Sequence, residues 1–271
     1  MIDHAIPWTR PRFATGERMS MIDITHAVSF DLETTGVDTS TAHIVTASLV
    51  YVDDDGVFQD RKILADPGID IPAGATEVHG ITTEYAREHG RPHAEVVREV
   101  ADFLTETWAK GRAVVIYNAT YDLSVIKTHC PDFEITGLVI DPLVLDKSID
   151  KYRKGSRRLQ NVSAHYGVVL SNAHDSSADS VAAYQIARAI LRIMSESSQM
   201  TNITYPDGSS AVMPYHDIAA DPRSLYFFQQ NNAVTQQYSL GKYFEGRGRP
   251  NDVKVGWPFE NDGIHDHLLI P

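Results

Sequence analysis

The 271-residue sequence predicts an α/β fold in which a mixed five-stranded sheet is flanked by helices. The first indication is the acidic Asp-Gly turn at residues 53–56, which separates two β-rich runs and is typical of a hairpin. The second is that short apolar runs further along the chain alternate with segments whose apolar residues recur at helical spacing. A hairpin that leads into alternating strands and helices is typical of a mixed sheet covered by helices.

The elements follow from these patterns in chain order. Strands are predicted at 27–32, 43–52, 57–64, 113–117 and 138–142, and helices at 94–108, 121–128, 158–166 and 179–194. Residues 71–83 are predicted to form a loop. The composition changes after Glu196, where two helices are expected at 222–228 and 233–244. We therefore expect an N-terminal arm (1–24), a main domain (25–196) and a C-terminal extension packed on it (197–271).

Composition restricts the class of protein. The chain has 42% apolar and 22% charged residues, as an ordinary globular core requires. No apolar run approaches the roughly 18 residues of a membrane span, and residues 1–20 lack the apolar stretch of a signal peptide. The single cysteine, Cys130, excludes an internal disulfide and suits a reducing, cytoplasmic setting.

The net charge of −12 argues against a protein that coats duplex DNA, because such a protein must neutralise many phosphates. It is compatible with an enzyme that grips a few terminal nucleotides and uses metal ions as its positive charge. The one basic concentration is the segment Lys147–Arg158. We expect it either to contact substrate phosphates or to be a solvated loop.

The first candidate site lies at the end of the strand predicted at 27–32. Strand side chains alternate between faces, so Asp31 and Glu33 should project to the same side. Two neighbouring carboxylates repel each other and lose hydration there, and a divalent cation between them would offset both costs. Solvated acids at a strand end are the plain alternative for this stretch alone.

Three later residues can reach the same edge of the sheet. Asp122 follows the strand predicted at 113–117, and His174 precedes Asp179, which opens the helix predicted at 179–194. Taken singly, each is more typical of helix capping or of a surface position. Together with Asp31 and Glu33 they would give four hard oxygen ligands, which suit Mg²⁺ or Mn²⁺, and a histidine able to take a proton from water.

Four stretches in this order resemble the motifs of the DEDDh 3′–5′ exonucleases, the family of the proofreading epsilon subunit, RNase T and oligoribonuclease. They are Phe30-Asp31-Leu32-Glu33-Thr34-Thr35-Gly36, Val78-His79-Gly80-Ile81-Thr82, Tyr117-Asn118-Ala119-Thr120-Tyr121-Asp122, and Ala173-His174 through Asp179. The resemblance covers about residues 25–195. It implies a ribonuclease H-like fold, two Mg²⁺ or Mn²⁺ ions, and release of nucleoside 5′-monophosphates from a 3′ end.

The resemblance also implies a role for each matching residue. The metal ligands would be Asp31, Glu33, Asp122 and Asp179, with His174 as general base. The residues near the terminal nucleotide would be Leu32, Thr34, Thr35, Gly36, His79 and Asn118. The sequence departs from the family pattern at Tyr121, where phenylalanine is usual, and at Pro142 after the supporting residue Asp141.

These observations predict a metal-dependent 3′–5′ exonuclease that acts on single-stranded or frayed DNA ends, in replication, proofreading or repair. A DNA polymerase or replication complex is a possible partner, and no membrane is involved. One alternative keeps the chemistry but changes the substrate to RNA, as in RNase T or oligoribonuclease. The other is a non-catalytic subunit that binds a polymerase or clamp.

Overall fold

The computed structural model describes residues 21–53, 55–170 and 176–260. The main sheet is six-stranded, in the order β4-β3-β2-β1-β5-β6. Its strands are β1 (Val28–Thr34), β2 (Ile44–Val52), β3 (Phe58–Asp66), β4 (Arg91–Pro92), β5 (Val114–Val115) and β6 (Val139–Ile140). A separate antiparallel hairpin consists of β7 (Met200–Thr204) and β8 (Ser210–Pro214).

The described helices precede, connect and follow these strands. They are α1 (Ala73–His79), α2 (Thr83–His89), α3 (His93–Ala109), α4 (Ala119–His129), α5 (Pro142–Ile149), α6 (Leu159–His165), α7 (Ser176–Ser195), α8 (Tyr215–Ile218) and α9 (Pro222–Glu245). No helix in the described part of the chain is both long and apolar enough to cross a membrane.

Strand β1 is central to the sheet, antiparallel to β2 and parallel to β5. Its residues 28–30 are buried, as expected for an interior strand. One face of β1 meets α7, since the Ser29 hydroxyl donates a 2.6 Å hydrogen bond to the carbonyl of Ser180. Apolar residues of α7 at helical spacing, among them Ile186 and Ile190, are fully buried against the rest of the core. This packing brings the first turn of α7 beside β1.

The predicted α/β fold is therefore confirmed, with differences in detail. The sheet has one more strand than predicted, the two-residue edge strand β4. Residues 71–83 were wrongly predicted as a loop and include α1. Helix α1 buries none of its residues, so it carries no apolar periodicity by which a sequence could indicate it. The two helices expected at 222–228 and 233–244 are one continuous helix, α9.

The described part of the C-terminal extension packs on the main domain. The side chain of Gln229 on α9 is fully buried, and it accepts the Asp141 N–H at 2.7 Å and donates to the Val139 carbonyl at 2.9 Å. Further on, the backbone N–H of Glu260 donates to the Ser124 hydroxyl of α4. The extension thus contacts two elements that lead into the candidate site, while the exact domain boundaries stay a prediction.

Candidate functional site

Three carboxylates converge where β1 meets the first turn of α7. Asp31 and Glu33 lie on one face of β1, and Asp179 lies in the first turn of α7. One oxygen from each lies within 4.8 Å of the others, and all three residues are partly buried. The predicted pairing of Asp31 and Glu33, and their approach to Asp179, are therefore seen in the structure.

Asp122 lies next to this cluster but is held differently. It lies in the first turn of α4 and is only 3% exposed, and its Oδ1 accepts the Leu32 N–H at 2.9 Å. This bond fixes the start of α4 against β1. The Asp122 carboxylate also interacts electrostatically with Asp31 and Glu33. Three of the four predicted carboxylates thus form the compact group, and the fourth is bonded to the strand that carries two of them.

The negative charges of these acids repel one another. Burial raises the pKa of Asp31 well above its usual range, and the carboxylates of Asp122, Glu33 and Asp179 raise it further. Burial likewise raises the pKa of Asp122, against the lowering effect of the Leu32 N–H. A group of like charges that is largely withdrawn from water is costly without a counter-ion. The donor set consists of carboxylate oxygens only and fits a hard divalent cation, which would offset this repulsion.

Asp141 supports the helix that carries Asp122. Its buried carboxylate accepts the N–H groups of Asn118 and Ala119 at 3.1 and 2.9 Å, at the start of α4. It also accepts two N–H groups at the start of α5, as a helix cap does. Burial nonetheless raises the pKa of Asp141. The Asp141 carboxylate therefore links the starts of α4 and α5, which is consistent with a supporting role for this residue.

The turn after β1 is closed by hydroxyl groups. Thr34 Oγ1 bonds to the carbonyl of Gly36, and the Tyr121 hydroxyl contacts both Thr34 Oγ1 and that carbonyl. Thr35 exchanges two hydrogen bonds with His43, which precedes β2. A side-chain carbon added at Gly36 would meet no atom within 4 Å, so the space beside this turn is open. The predicted substrate turn is thus rigidly held and accessible.

The remaining predicted residues fall into three situations. His79 ends α1, and its ring faces the Thr34 backbone; burial lowers the pKa of its imidazole. Asn118 is exposed at the start of α4, with a left-handed backbone (φ 66°). His174 lies outside the described residues, so its position relative to the carboxylates stays a prediction.

Sequence reasoning missed several contacts. No contact was predicted for Tyr121, but its hydroxyl contacts Thr34 Oγ1 and the Gly36 carbonyl in the turn after β1. Its departure from the usual phenylalanine was the available signal.

Within the basic segment Lys147–Arg158, Arg153 and Arg157 point inward, and both donate to the fully buried Asp146. These two arginines are structural, while Lys151, Lys154 and Arg158 are exposed. No sequence signal indicated this division.

Known proteins resemble this chain in sequence over its main domain. The family model described as RNase_T exonuclease matches residues 28–187. The PolC-type DNA polymerase III of Streptococcus suis is 26% identical over 237 residues, 83% of this chain but 15% of the polymerase. The corresponding polymerase of Caldanaerobacter subterraneus is 26% identical over 253 residues, 93% of this chain and 17% of the polymerase. The chain thus spans about a sixth of the length of these relatives.

Solved structures show the same fold. A zinc-bound complex of E. coli exonuclease I with single-stranded DNA superposes with a TM-score of 0.52 at 19% identity, over 62% of this chain and 41% of the other. A product-bound exonuclease I gives a TM-score of 0.51 at 17% identity, over 63% of this chain and 44% of the other. The family match covers more than half of the sequence and confirms the resemblance seen in the motifs. The chain therefore belongs to the RNase_T exonuclease family.

Proposed function

We propose that this protein is a metal-dependent 3′–5′ exonuclease that removes nucleoside 5′-monophosphates from single-stranded or frayed DNA ends. The observation that carries the proposal is the convergence of the Asp31, Glu33 and Asp179 carboxylates beside Asp122, in a member of an exonuclease family. The raised pKa values of Asp31 and Asp122, and the repulsion between these carboxylates and their neighbours, favour the binding of a cation.

Asp31, Glu33, Asp122 and Asp179 would hold two Mg²⁺ or Mn²⁺ ions, since their oxygens are the ligands these cations prefer. Such ions, when bound, stabilise the charge on the attacking and leaving oxygens of a phosphodiester. The Leu32–Asp122 bond and the Asp141 cap support this role because they keep the start of α4 at a fixed distance from β1.

The turn after β1 would receive the terminal nucleotide. The space beside Gly36 is open, and the Leu32, Thr34, Thr35 and Gly36 backbone leads directly from the carboxylates into it. His79 and Asn118 would line the same region, since His79 faces Thr34 and Asn118 is exposed at the start of α4. His174 would act as the general base, taking a proton from the attacking water.

DNA is the preferred substrate in this proposal because the polymerase relatives act in DNA synthesis by name and one structural neighbour is bound to single-stranded DNA. The same relatives support a partnership with a DNA polymerase or replication complex, and a proofreading role. Short RNA is the second candidate, supported by the RNase_T family to which the chain belongs. The sugar at the 3′ end decides between them, since the 2′-hydroxyl is the group that distinguishes RNA from DNA.

The test is digestion of a 5′-labelled single-stranded DNA oligonucleotide and its RNA counterpart with Mg²⁺, Mn²⁺ or EDTA. We expect a ladder that shortens from the 3′ end, requires metal and forms faster on DNA. Labelled mononucleotide released from a 3′-labelled strand should co-migrate with a 5′-monophosphate.

Asp102→Asn is the matched control, because Asp102 is an exposed carboxylate on α3 outside the cluster. It should cleave like the unaltered chain. A faster ladder on RNA would favour the ribonuclease alternative. Absence of cleavage on both strands with either metal would contradict the proposal and favour a binding subunit.

A further inference from the structure

A second cluster of possible metal ligands lies outside the candidate active site. His43 precedes β2, His93 opens α3 and His129 ends α4. One ring nitrogen of each lies within 4.8 Å of the others, and each pair of ring centroids is 4.6 Å apart. All three side chains are only partly buried, so solvent ions can reach them.

Hydrogen bonds to the backbone determine which nitrogens are available. His43 Nδ1 lies 2.7 Å from the Pro67 carbonyl and His129 Nε2 lies 2.8 Å from the Ala42 carbonyl. A carbonyl only accepts, so each of these nitrogens carries the proton. His43 Nε2 and His129 Nδ1 therefore keep their lone pairs. Metal-bound histidines are typically oriented by this kind of backbone acceptor.

His93 accepts a backbone hydrogen bond, whereas His43 and His129 donate one. Its Nε2 accepts the Ile44 N–H at 3.0 Å, so its lone pair is in use. Burial, and then the neighbouring His129 and His43, lower the pKa of His93 to about 4. The ring is thus neutral at pH 7, and no proton has to be displaced before it binds a metal. It can become a ligand by exchanging the Ile44 amide for a cation.

We propose that His43, His93 and His129 bind one Zn²⁺ ion, with His43 and His129 as the primary ligands and His93 as the third. Three neutral imidazole nitrogens and a water would complete the tetrahedral coordination that Zn²⁺ favours. Nitrogen ligands select zinc and later transition metals over Mg²⁺, which prefers oxygen. The site shares no ligand with the carboxylate cluster and does not depend on the proposed nuclease activity.

The test is calorimetric titration of the untagged full chain with Zn²⁺ in excess Mg²⁺. Mg²⁺ competes poorly for imidazole, but Zn²⁺ also binds carboxylates, so only the Zn²⁺ binding that depends on His43 and His129 reports the histidine site. We expect one such Zn²⁺ per chain.

The variants His43→Asn and His129→Gln are designed to keep the fold. Each amide N–H can replace the imidazole N–H that donates to the Pro67 or Ala42 carbonyl, while the ligand lone pair is lost. Each should weaken Zn²⁺ binding by at least about 100-fold, beyond the roughly 10- to 100-fold cost of losing an outer partner. His93→Gln should weaken it about tenfold, because His93 gives up a hydrogen bond to bind.

Two controls address the other histidines. His26→Ala removes an exposed histidine, and the double variant His265→Ala/His267→Ala removes a His-x-His pair in the sequence. Both should bind Zn²⁺ like the unaltered chain. Thermal unfolding of every variant checks that it folds. Absence of Zn²⁺ binding in the unaltered chain, or unchanged affinity in folded His43→Asn and His129→Gln, would overturn the proposal.

Discussion

The carboxylate cluster at the end of β1 and the histidine cluster at the start of β2 are joined by residues 35–42, yet their electrostatics are opposite. Burial and like neighbours raise the pKa of Asp31 and lower the pKa of His93. The surroundings of Asp31 and of His93 thus each favour the neutral form of that residue. If both proposed sites bind metal, the carboxylate cluster should prefer a hard cation and the histidine cluster a softer one.

The two clusters also differ in how they respond to pH. A carboxylate whose pKa is raised by folding favours the folded state at low pH, and that contribution is lost as the pH rises through the raised value. A histidine whose pKa is lowered by folding contributes fully above its ordinary value near 6.5, and that contribution is lost as the pH falls toward about 4. In the metal-free protein, the contribution of Asp31 to stability should therefore fall as the pH rises, and the contribution of His93 should fall as the pH falls.

The largest expected effect comes from removing one charge of the carboxylate cluster. Asp31→Asn should lower the cleavage rate by about three orders of magnitude or more, since loss of a metal ligand removes several kcal/mol of transition-state stabilisation. In EDTA at neutral pH the same variant should be at least as stable as the unaltered chain, because a repelling charge is gone. Single-turnover cleavage and thermal unfolding measure the two effects. A rate within tenfold of normal would contradict the assignment of Asp31 as a ligand.

The next largest effect tests whether the C-terminal extension stabilises the helix starts beside the carboxylate cluster. Gln229→Leu leaves the Asp141 N–H and the Val139 carbonyl without their buried partner, which should cost about 2 to 4 kcal/mol of unfolding free energy. Because Asp141 caps α4, the cleavage rate at a temperature where the variant is folded should also fall. Gln236→Leu is the control on the same helix, since Gln236 is partly exposed and makes only a 3.4 Å bond. Equal losses in both variants would argue against a specific role of Gln229.

A smaller effect tests how the histidine cluster makes the unfolding free energy depend on pH. Between pH 7 and 5 in EDTA, the unaltered chain should lose about 1 kcal/mol more unfolding free energy than His93→Gln, because one pKa unit corresponds to about 1.4 kcal/mol and partial exposure reduces it. Chemical denaturation at each pH measures the difference. Parallel curves for the two proteins would show that His93 is not held neutral by its surroundings.

The smallest effect concerns the turn between the clusters. Tyr121→Phe removes the hydroxyl that contacts Thr34 and the Gly36 carbonyl, which should cost about 1 kcal/mol of stability and raise KM a few-fold with little change in kcat. Tyr152→Phe is the control, because Tyr152 is 87% exposed. A large fall in kcat for Tyr121→Phe would instead indicate a direct part in the chemistry.

Much of the site followed from local pattern. The alternation of strand side chains predicted that Asp31 and Glu33 share a face, and helical spacing predicted α7, which carries Asp179. The histidine cluster could not be predicted in this way. Its members are 50 and 36 residues apart in sequence, on a loop end and two helix ends, and no periodicity links them.

The sequence by itself determined the α/β class, the order of the main elements and the identity of the acids at the strand and helix ends. These depend on periodicity and local turn chemistry, which operate over a few residues. Only the tertiary structure decided that Gln229 bonds Asp141, that Arg153 and Arg157 turn inward to Asp146, and that three histidines meet. Those outcomes depend on packing between distant segments, where burial and the need to satisfy every buried polar group select the partner.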